Sequence, residues 1–221
     1  MKRSTLQSIL NVVLHCLIDL KFEGLEHIPT EGGILVTTNH LSRFDIVILF
    51  VTPNRKDITA LVADKYQRYS VFSWIVRTAE GIWIDRSKAD FVAFGEAVKV
   101  IRKGLALGIA PEGTRSRNGK LLEGKSGAVL LASRAGVPIV PVGIAGSESV
   151  VQMLKRLRRP KVTVRFGAAY QLPPMDREQR ENALKKYTEE VMCRIAALLP
   201  EEYHGFYTGH PRLAELRSEG N

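Results

Sequence analysis

A histidine and an aspartate five residues apart, His40 and Asp45, fall in the run Thr37-Thr38-Asn39-His40-Leu41-Ser42-Arg43-Phe44-Asp45. Those two residue types can serve as a base and its orienter. The neutral imidazole takes a proton from an attacking hydroxyl, while the carboxylate holds the other ring nitrogen and stabilises the imidazolium. On an ideal helix, positions i and i+5 lie about 140° apart, so the pair meets only if the chain bends after His40. The run continues the apolar stretch Ile34–Thr38, and in an open α/β sheet ligands bind at the carboxyl ends of strands. Taken alone, the same spacing is more often that of a surface histidine.

Three further segments are candidates. Gly81-Ile82-Trp83-Ile84-Asp85-Arg86 reads as a short strand ending in Asp-Arg, which by itself is a structural ion pair. Pro111-Glu112-Gly113-Thr114-Arg115-Ser116 follows the apolar run Leu107–Ala110. Its glycine permits close backbone approach to a ligand and its arginine offers a planar fork for phosphate; ordinary turn chemistry uses the same residues. In Val137-Pro138-Ile139-Val140-Pro141-Val142 the two prolines predict a strand end or a sheet edge.

The elements that must position these segments follow from the apolar pattern. Short β-rich runs at Ile34–Thr38, Ile58–Ala63, Ile82–Ile84, Leu107–Ala110, Pro138–Val142 and Val162–Phe166 alternate with amphipathic stretches near 43–50, 70–78, 88–103, 125–136 and 147–157. This alternation predicts a single α/β domain with a mostly parallel central sheet flanked by helices, over residues 22–200. A long helix is expected over 176–199, with Asp176 as its N-cap and Pro200 as its stop. The tail, 201–221, is expected to be polar and less ordered. Residues 1–21 form an amphipathic segment. On a helical wheel Leu6, Ile9, Leu10, Val12, Val13, Leu14, Leu17 and Leu20 fall in an arc of roughly 200°, with Ile18 the one apolar outlier. Such a helix either lies in a membrane interface or packs on its own domain.

Composition narrows the function classes. Apolar residues at 45% and charged residues at 25% supply an ordinary core and exclude wholesale disorder. Lys and Arg number 32 against 23 Asp and Glu, a net charge of +9 that suits an anionic partner. No stretch of 18 consecutive apolar residues predicts a bilayer span, and no small-residue cleavage site follows the N-terminal segment as a signal peptide requires. Cys16 and Cys193 are too few for a disulfide framework or a four-ligand zinc site. His15 and His27 have no partner pattern, and His204 and His210 read as surface residues of the tail.

Gly119-Lys120-Leu121-Leu122-Glu123-Gly124-Lys125-Ser126 spells the P-loop pattern for a nucleotidase, but polar Thr114–Asn118 precede it where a buried strand belongs. Its inner positions are also bulky, which opposes a wrap around phosphate. The basic run Lys155-Arg156-Leu157-Arg158-Arg159-Pro160-Lys161 lacks any nucleic-acid module and fits anionic headgroups better.

In this order and spacing the four segments resemble the phospholipid/glycerol acyltransferase family, most of all its 1-acylglycerol-3-phosphate acyltransferase branch. The resemblance covers residues 22–175 and runs through Asn39-His40-x-Ser42-x-x-Asp45, Gly81 to Arg86, Pro111 to Ser116 and Val137 to Val142. It implies acyl transfer from acyl-CoA or acyl carrier protein to the free hydroxyl of a lysophospholipid, with lysophosphatidic acid first and lyso-ornithine lipid as an alternative acceptor. It implies His40 as general base and Asp45 as its orienter. It further implies that Glu112, Gly113, Thr114 and Arg115 hold the acceptor's phosphate or glycerol, with Arg86, Lys65 and Lys125 adding positive charge there. No bound cofactor or metal is implied. The expected setting is peripheral, on the cytoplasmic side of an anionic membrane, without a second anchoring helix before the first block. Ala110 departs from the family's frequent aromatic. A lipid-binding protein that keeps the fold without catalysis is the reading from another class; an intact His40–Asp45 pair argues against it.

Overall fold

A computed structural model describes residues 1–85, 87, 90–176 and 178–219 of the chain. Among these described residues seven strands form one sheet: β1 Asp19–Glu23, β2 Ile34–Thr38, β3 Thr59–Ala63, β4 Ile82–Ile84, β5 Ala106–Ile109, β6 Ile139–Ala145 and β7 Lys161–Phe166. Their order is β1-β7-β6-β2-β5-β3-β4, and among these pairings only β6–β7 is antiparallel. The predicted α/β architecture with a mostly parallel sheet is therefore the one observed. Every residue of β2 is buried, as a central parallel strand covered on both faces requires.

Helices cover both faces. On one side α4 (Phe91–Arg102), α5 (Gly127–Ala135), α7 (Arg180–Ala197) and α8 (Pro211–Glu219) pack over a core that includes Ile101, Leu107, Leu131 and Ile195. On the other, α1 (Arg3–Leu17), α2 (Phe44–Phe50), α3 (Ser70–Thr78) and α6 (Val150–Lys155) cover a second core around Val36, Ile48, Val142 and Val164. Local chemistry sets several ends. The Asp90 carboxylate accepts from Ala93 N to cap α4, and Gly136 adopts φ 73° to close α5.

Four local expectations change. The N-terminal helix ends at Leu17, and Ile18, the outlier on the wheel, is fully buried in extended backbone leading into β1. The alternation Asp19-Leu20-Lys21-Phe22-Glu23 pairs as a strand with β7, placing Leu20 and Phe22 against the core. Helix α7 begins at Arg180 after Gln179, so Asp176 is not its cap. Pro138 stands at a strand end, immediately before β6, as expected, but β6 itself is central rather than an edge. Pro141 lies where the β6–β7 register breaks: its carbonyl accepts from Gly167 N just past the last ladder pair, Val142–Phe166, and the pairing resumes out of step at the isolated Ile139–Tyr170 bridge.

The tail also differs from the polar, less ordered segment expected. Two 3₁₀ turns, Glu201–Tyr203 and Gly205–Tyr207, lead into α8, and Tyr207, His204 and Leu213 are buried. His204 is thus an interior residue whose Nε2 lies 3.2 Å from the Leu199 carbonyl. The P-loop-like stretch packs on this tail. Leu121 N donates to Tyr203 O, Phe206 N donates to Leu121 O, and Gly124 N donates to the Tyr207 hydroxyl. A loop held by its own backbone against another segment has no concave ring of amides for phosphate, so the nucleotidase reading is rejected.

Helix α1 packs on the domain through Leu6 and Leu14 but leaves Ile9, Val12, Val13 and Leu17 exposed. Its apolar arc is wider than the face its own domain covers.

Candidate active site

Strand β2 ends at Thr38, and the chain bends through 39–43 before α2 starts at Phe44. That bend supplies the geometry a straight helix denies: His40 Nδ1 lies 2.9 Å from Asp45 Oδ2. Asp45 is buried, with five donors on its carboxylate. Oδ2 accepts from Leu41 N and Ser42 N, both at 2.8 Å, as well as from the imidazole. Oδ1 accepts from the Ser42 hydroxyl at 3.2 Å and the Ser147 hydroxyl at 2.6 Å. An acceptor this crowded takes its hydrogen from Nδ1–H, which leaves Nε2 as the free lone pair of the ring.

The loop carrying His40 is tied down from three directions. Asn39 Nδ2 donates to Ile144 O and its Oδ1 accepts from Ile144 N, each at 2.8 Å, so the side chain acts as a backbone mimic against β6. His40 O accepts from Ser116 N at 2.8 Å. Glu112 Oε1 accepts from His40 N and Oε2 from Leu122 N, both at 2.9 Å. Burial raises the Glu112 carboxyl to about 7, against the opposing pull of those two amides.

The sequence-predicted substrate contacts separate into groups. Glu112 points into the protein: with both oxygens engaged by backbone it holds the His40 loop and does not face an acceptor. Gly113 sits at φ 68° beside Lys125, whose side-chain carbons and Nζ would lie 3.2–3.4 Å from an added Cβ. Lys125 N donates to Pro111 O, which fixes that neighbour. Thr114 and Arg115 are exposed. Arg115 lines a broad groove of about 1050 Å³ together with Ser42 and Arg43. Lys65 is elsewhere, on the turn Asp64–Tyr66 with its ammonium 5.4 Å from the Tyr66 ring centroid. Arg86 lies outside the described residues.

Sequence reasoning missed several contributors. Arg117 and Lys120 line the same groove as Arg115, and Glu148, Glu202 and Tyr203 form part of its wall. A second, apolar cleft runs along His40 and Asp45 past Ile46, Leu49, Ala60 and Gly108 to Ala110. Asn39 and Ser42 stood in the motif without a role, and Ser147 had no local signal at all. The dyad therefore sits between a polar, arginine-bearing groove and a narrow apolar cleft. That arrangement suits a base serving a hydroxyl on a molecule with one anionic end and one hydrocarbon end.

Residues 19–145 match the acyltransferase family. The chain is 33% identical over 143 residues to a probable 1-acyl-sn-glycerol-3-phosphate acyltransferase of Mycoplasma pneumoniae, covering 62% of this chain and 53% of that protein. It is 35% identical over 165 residues to a 1-acyl-sn-glycerol-3-phosphate acyltransferase of Limnanthes douglasii, covering 72% and 55%. The chain thus spans about half the length of these curated relatives. Its fold resembles the crystal structure of the 1-acyl-sn-glycerophosphate acyltransferase PlsC of Thermotoga maritima. The TM-score is 0.65 at 24% identity, over 86% of this chain and 79% of that one.

Proposed function

We propose that this chain, which belongs to the acyltransferase family, moves an acyl group from acyl-CoA or acyl carrier protein to the free hydroxyl of 1-acylglycerol 3-phosphate. The observation that carries the reading is the 2.9 Å contact between His40 Nδ1 and Asp45 Oδ2 at the mouth of a parallel sheet. In the reaction, His40 Nε2 takes the acceptor's hydroxyl proton as that oxygen bonds to the thioester carbonyl carbon. The carbon–sulfur bond then breaks and the departing thiolate recovers the proton from the imidazolium. Asp45 stabilises the imidazolium and stays fixed by Leu41, Ser42 and Ser147. Neither cysteine is placed to form an acyl-enzyme. Cys193 is buried beneath α8 with its thiol pushed up to about 12, and Cys16 lies on α1.

Arg115 holds the acceptor phosphate in the polar groove, and the apolar cleft beside His40 and Ala110 receives hydrocarbon. Gly113 keeps the loop open next to Lys125, while Glu112 acts as a positioning residue for the base. The protein docks peripherally on an anionic membrane surface. No helix among the described residues is long and apolar enough to cross one. The exposed Ile9, Val12, Val13 and Leu17 stripe supports this docking, as does the basic run at 155–161 beside it. There the Arg159 guanidinium donates to His15 O and Ile18 O at the end of α1.

The test is thiol release by purified protein in lipid vesicles with an acyl-CoA panel, comparing lysophosphatidic acid, lyso-ornithine lipid and no acceptor, then repeated with acyl carrier protein as donor. Release that depends on lysophosphatidic acid supports the reading. Release only with lyso-ornithine lipid moves the acceptor, and silence with both donors overturns acyl transfer.

A further inference from the structure

Residues 64–78 gather features that the reaction at His40 does not use. Lys65, Arg68 and Arg77 stand here against one acid, Asp64. Arg43 joins them from the start of α2, 5.4 Å from the Tyr66 ring centroid and 5.8 Å from that of Tyr69. Arg68 lies 5.0 Å from the Tyr69 ring and donates to its hydroxyl. On α3, Val71, Trp74 and Thr78 occupy positions i, i+3 and i+7, one stripe of the helix. Val71 is 71% exposed and Trp74 45%. Single exposed apolar side chains are ordinary. Here they sit beside tyrosines and cations, the mixture found where rings settle at headgroup depth and cations meet phosphates.

This face is also continuous with the catalytic cleft. An open recess lined by Arg43, Tyr66, Arg68, Tyr69, Phe72 and Ile75 shares Phe72 and Ile75 with an apolar seam between α2, β3 and α3. That seam shares Ile46, Leu49 and Ala60 with the cleft along His40 and Asp45. An acidic protein would meet the cations and leave Val71 and Trp74 in water, whereas a bilayer engages both.

We propose that residues 64–78, with Arg43, form a second lipid-docking face that seats Val71 and Trp74 in an anionic bilayer beside the entrance to the catalytic cleft. The proposal rests on the lysolipid acceptor reading for its purpose and adds a surface, and it places Lys65 at the membrane rather than on the acceptor.

The chain has two tryptophans, Trp74 and Trp83, so Trp83→Phe leaves Trp74 as sole reporter. With vesicles of phosphatidylglycerol and phosphatidylcholine, Trp74 emission shifts to the blue and is quenched by lipids brominated in their acyl chains. Val71→Asp weakens vesicle binding about tenfold, while turnover of dispersed, monomeric lysophosphatidic acid is unchanged. A Trp74 that neither shifts nor quenches overturns the proposal, as does wild-type vesicle binding by Val71→Asp. Should Trp83→Phe fail to fold, Trp74→Phe gives the complementary reading, since bromolipid quenching is then lost from the otherwise native chain. Insertion of Trp74 without turnover of any lysolipid leaves the docking face standing and removes the acyl-transfer reading.

Discussion

Ser147 donates its hydroxyl to Asp45 Oδ1 at 2.6 Å, across 102 residues of sequence. The serine stands just after β6 and the aspartate in the first turn of α2, so the contact ties the His40–Asp45 bend to the neighbouring central strand. Ser147→Ala leaves a buried carboxylate short of one donor. A hydrogen bond to a charged group is worth about 1.5–3 kcal/mol, so kcat falls by roughly 10- to 100-fold with a small change in KM. Steady-state kinetics with a thermal melt separates this from unfolding, and an unchanged kcat removes Ser147 from the positioning of the base.

Asn39 is expected to matter first for stability. Its removal in Asn39→Ala strands both Ile144 N and Ile144 O in a buried strand. The cost is about 3 kcal/mol, lowering Tm by roughly 6–12 °C in a chain of this size. A melt within 2 °C of wild type, a shift of roughly 0.5–1 kcal/mol, contradicts the role assigned to it.

Glu112 imposes a pH dependence. Its folded pKa, about 7, lies above the ordinary 4.5, so between those values the folded state holds a proton that the unfolded state has released. The group's contribution is fully present below pH 4.5 and is lost as pH rises through about 7. Glu112→Gln removes this slope while sacrificing one of the two accepted amides. Urea unfolding across the window therefore gives a flatter profile at lower absolute stability, and a variant that keeps the wild-type slope rules Glu112 out as its source.

Arg115 reads the acceptor's charge in this account. Arg115→Ala raises KM for lysophosphatidic acid by roughly 10- to 100-fold and changes KM for the acyl donor little, with Arg115→Lys intermediate because it keeps charge and loses the fork. Equal effects on donor and acceptor would move the arginine away from the acceptor phosphate.

The fold was legible in the apolar runs, because central parallel strands are continuous hydrophobic segments and the helices between them keep their period. Strand β1 was hidden for the opposite reason. It is short and follows a helix, and Leu20 fitted the helical wheel as well as it fits the strand. The His40–Asp45 pair could be proposed because both residues lie on one bend, although its spacing gained weight only beside the other three segments. Ser147 and Tyr203 could not, since each reaches the site through tertiary packing that leaves no local pattern, and Arg117, one residue beyond the Pro111–Ser116 segment, reads in sequence as an ordinary loop cation. Glu112 was visible as a motif residue, but its direction was not. A carboxylate next to a glycine turn looks like a ligand contact until the His40 and Leu122 amides are found on it. Tyr207 and His204 show the same limit in the tail, where polar residues around them concealed buried positions.

The central claim is that His40 is the base for direct transfer. It is tested most directly by His40→Ala, measured both for acceptor-dependent thiol release and for binding of lysophosphatidic acid. The account predicts that release falls to background while binding stays near wild type and the melt is unchanged. Thiol release that survives in His40→Ala at more than a small fraction of the wild-type rate would contradict it and place the base elsewhere.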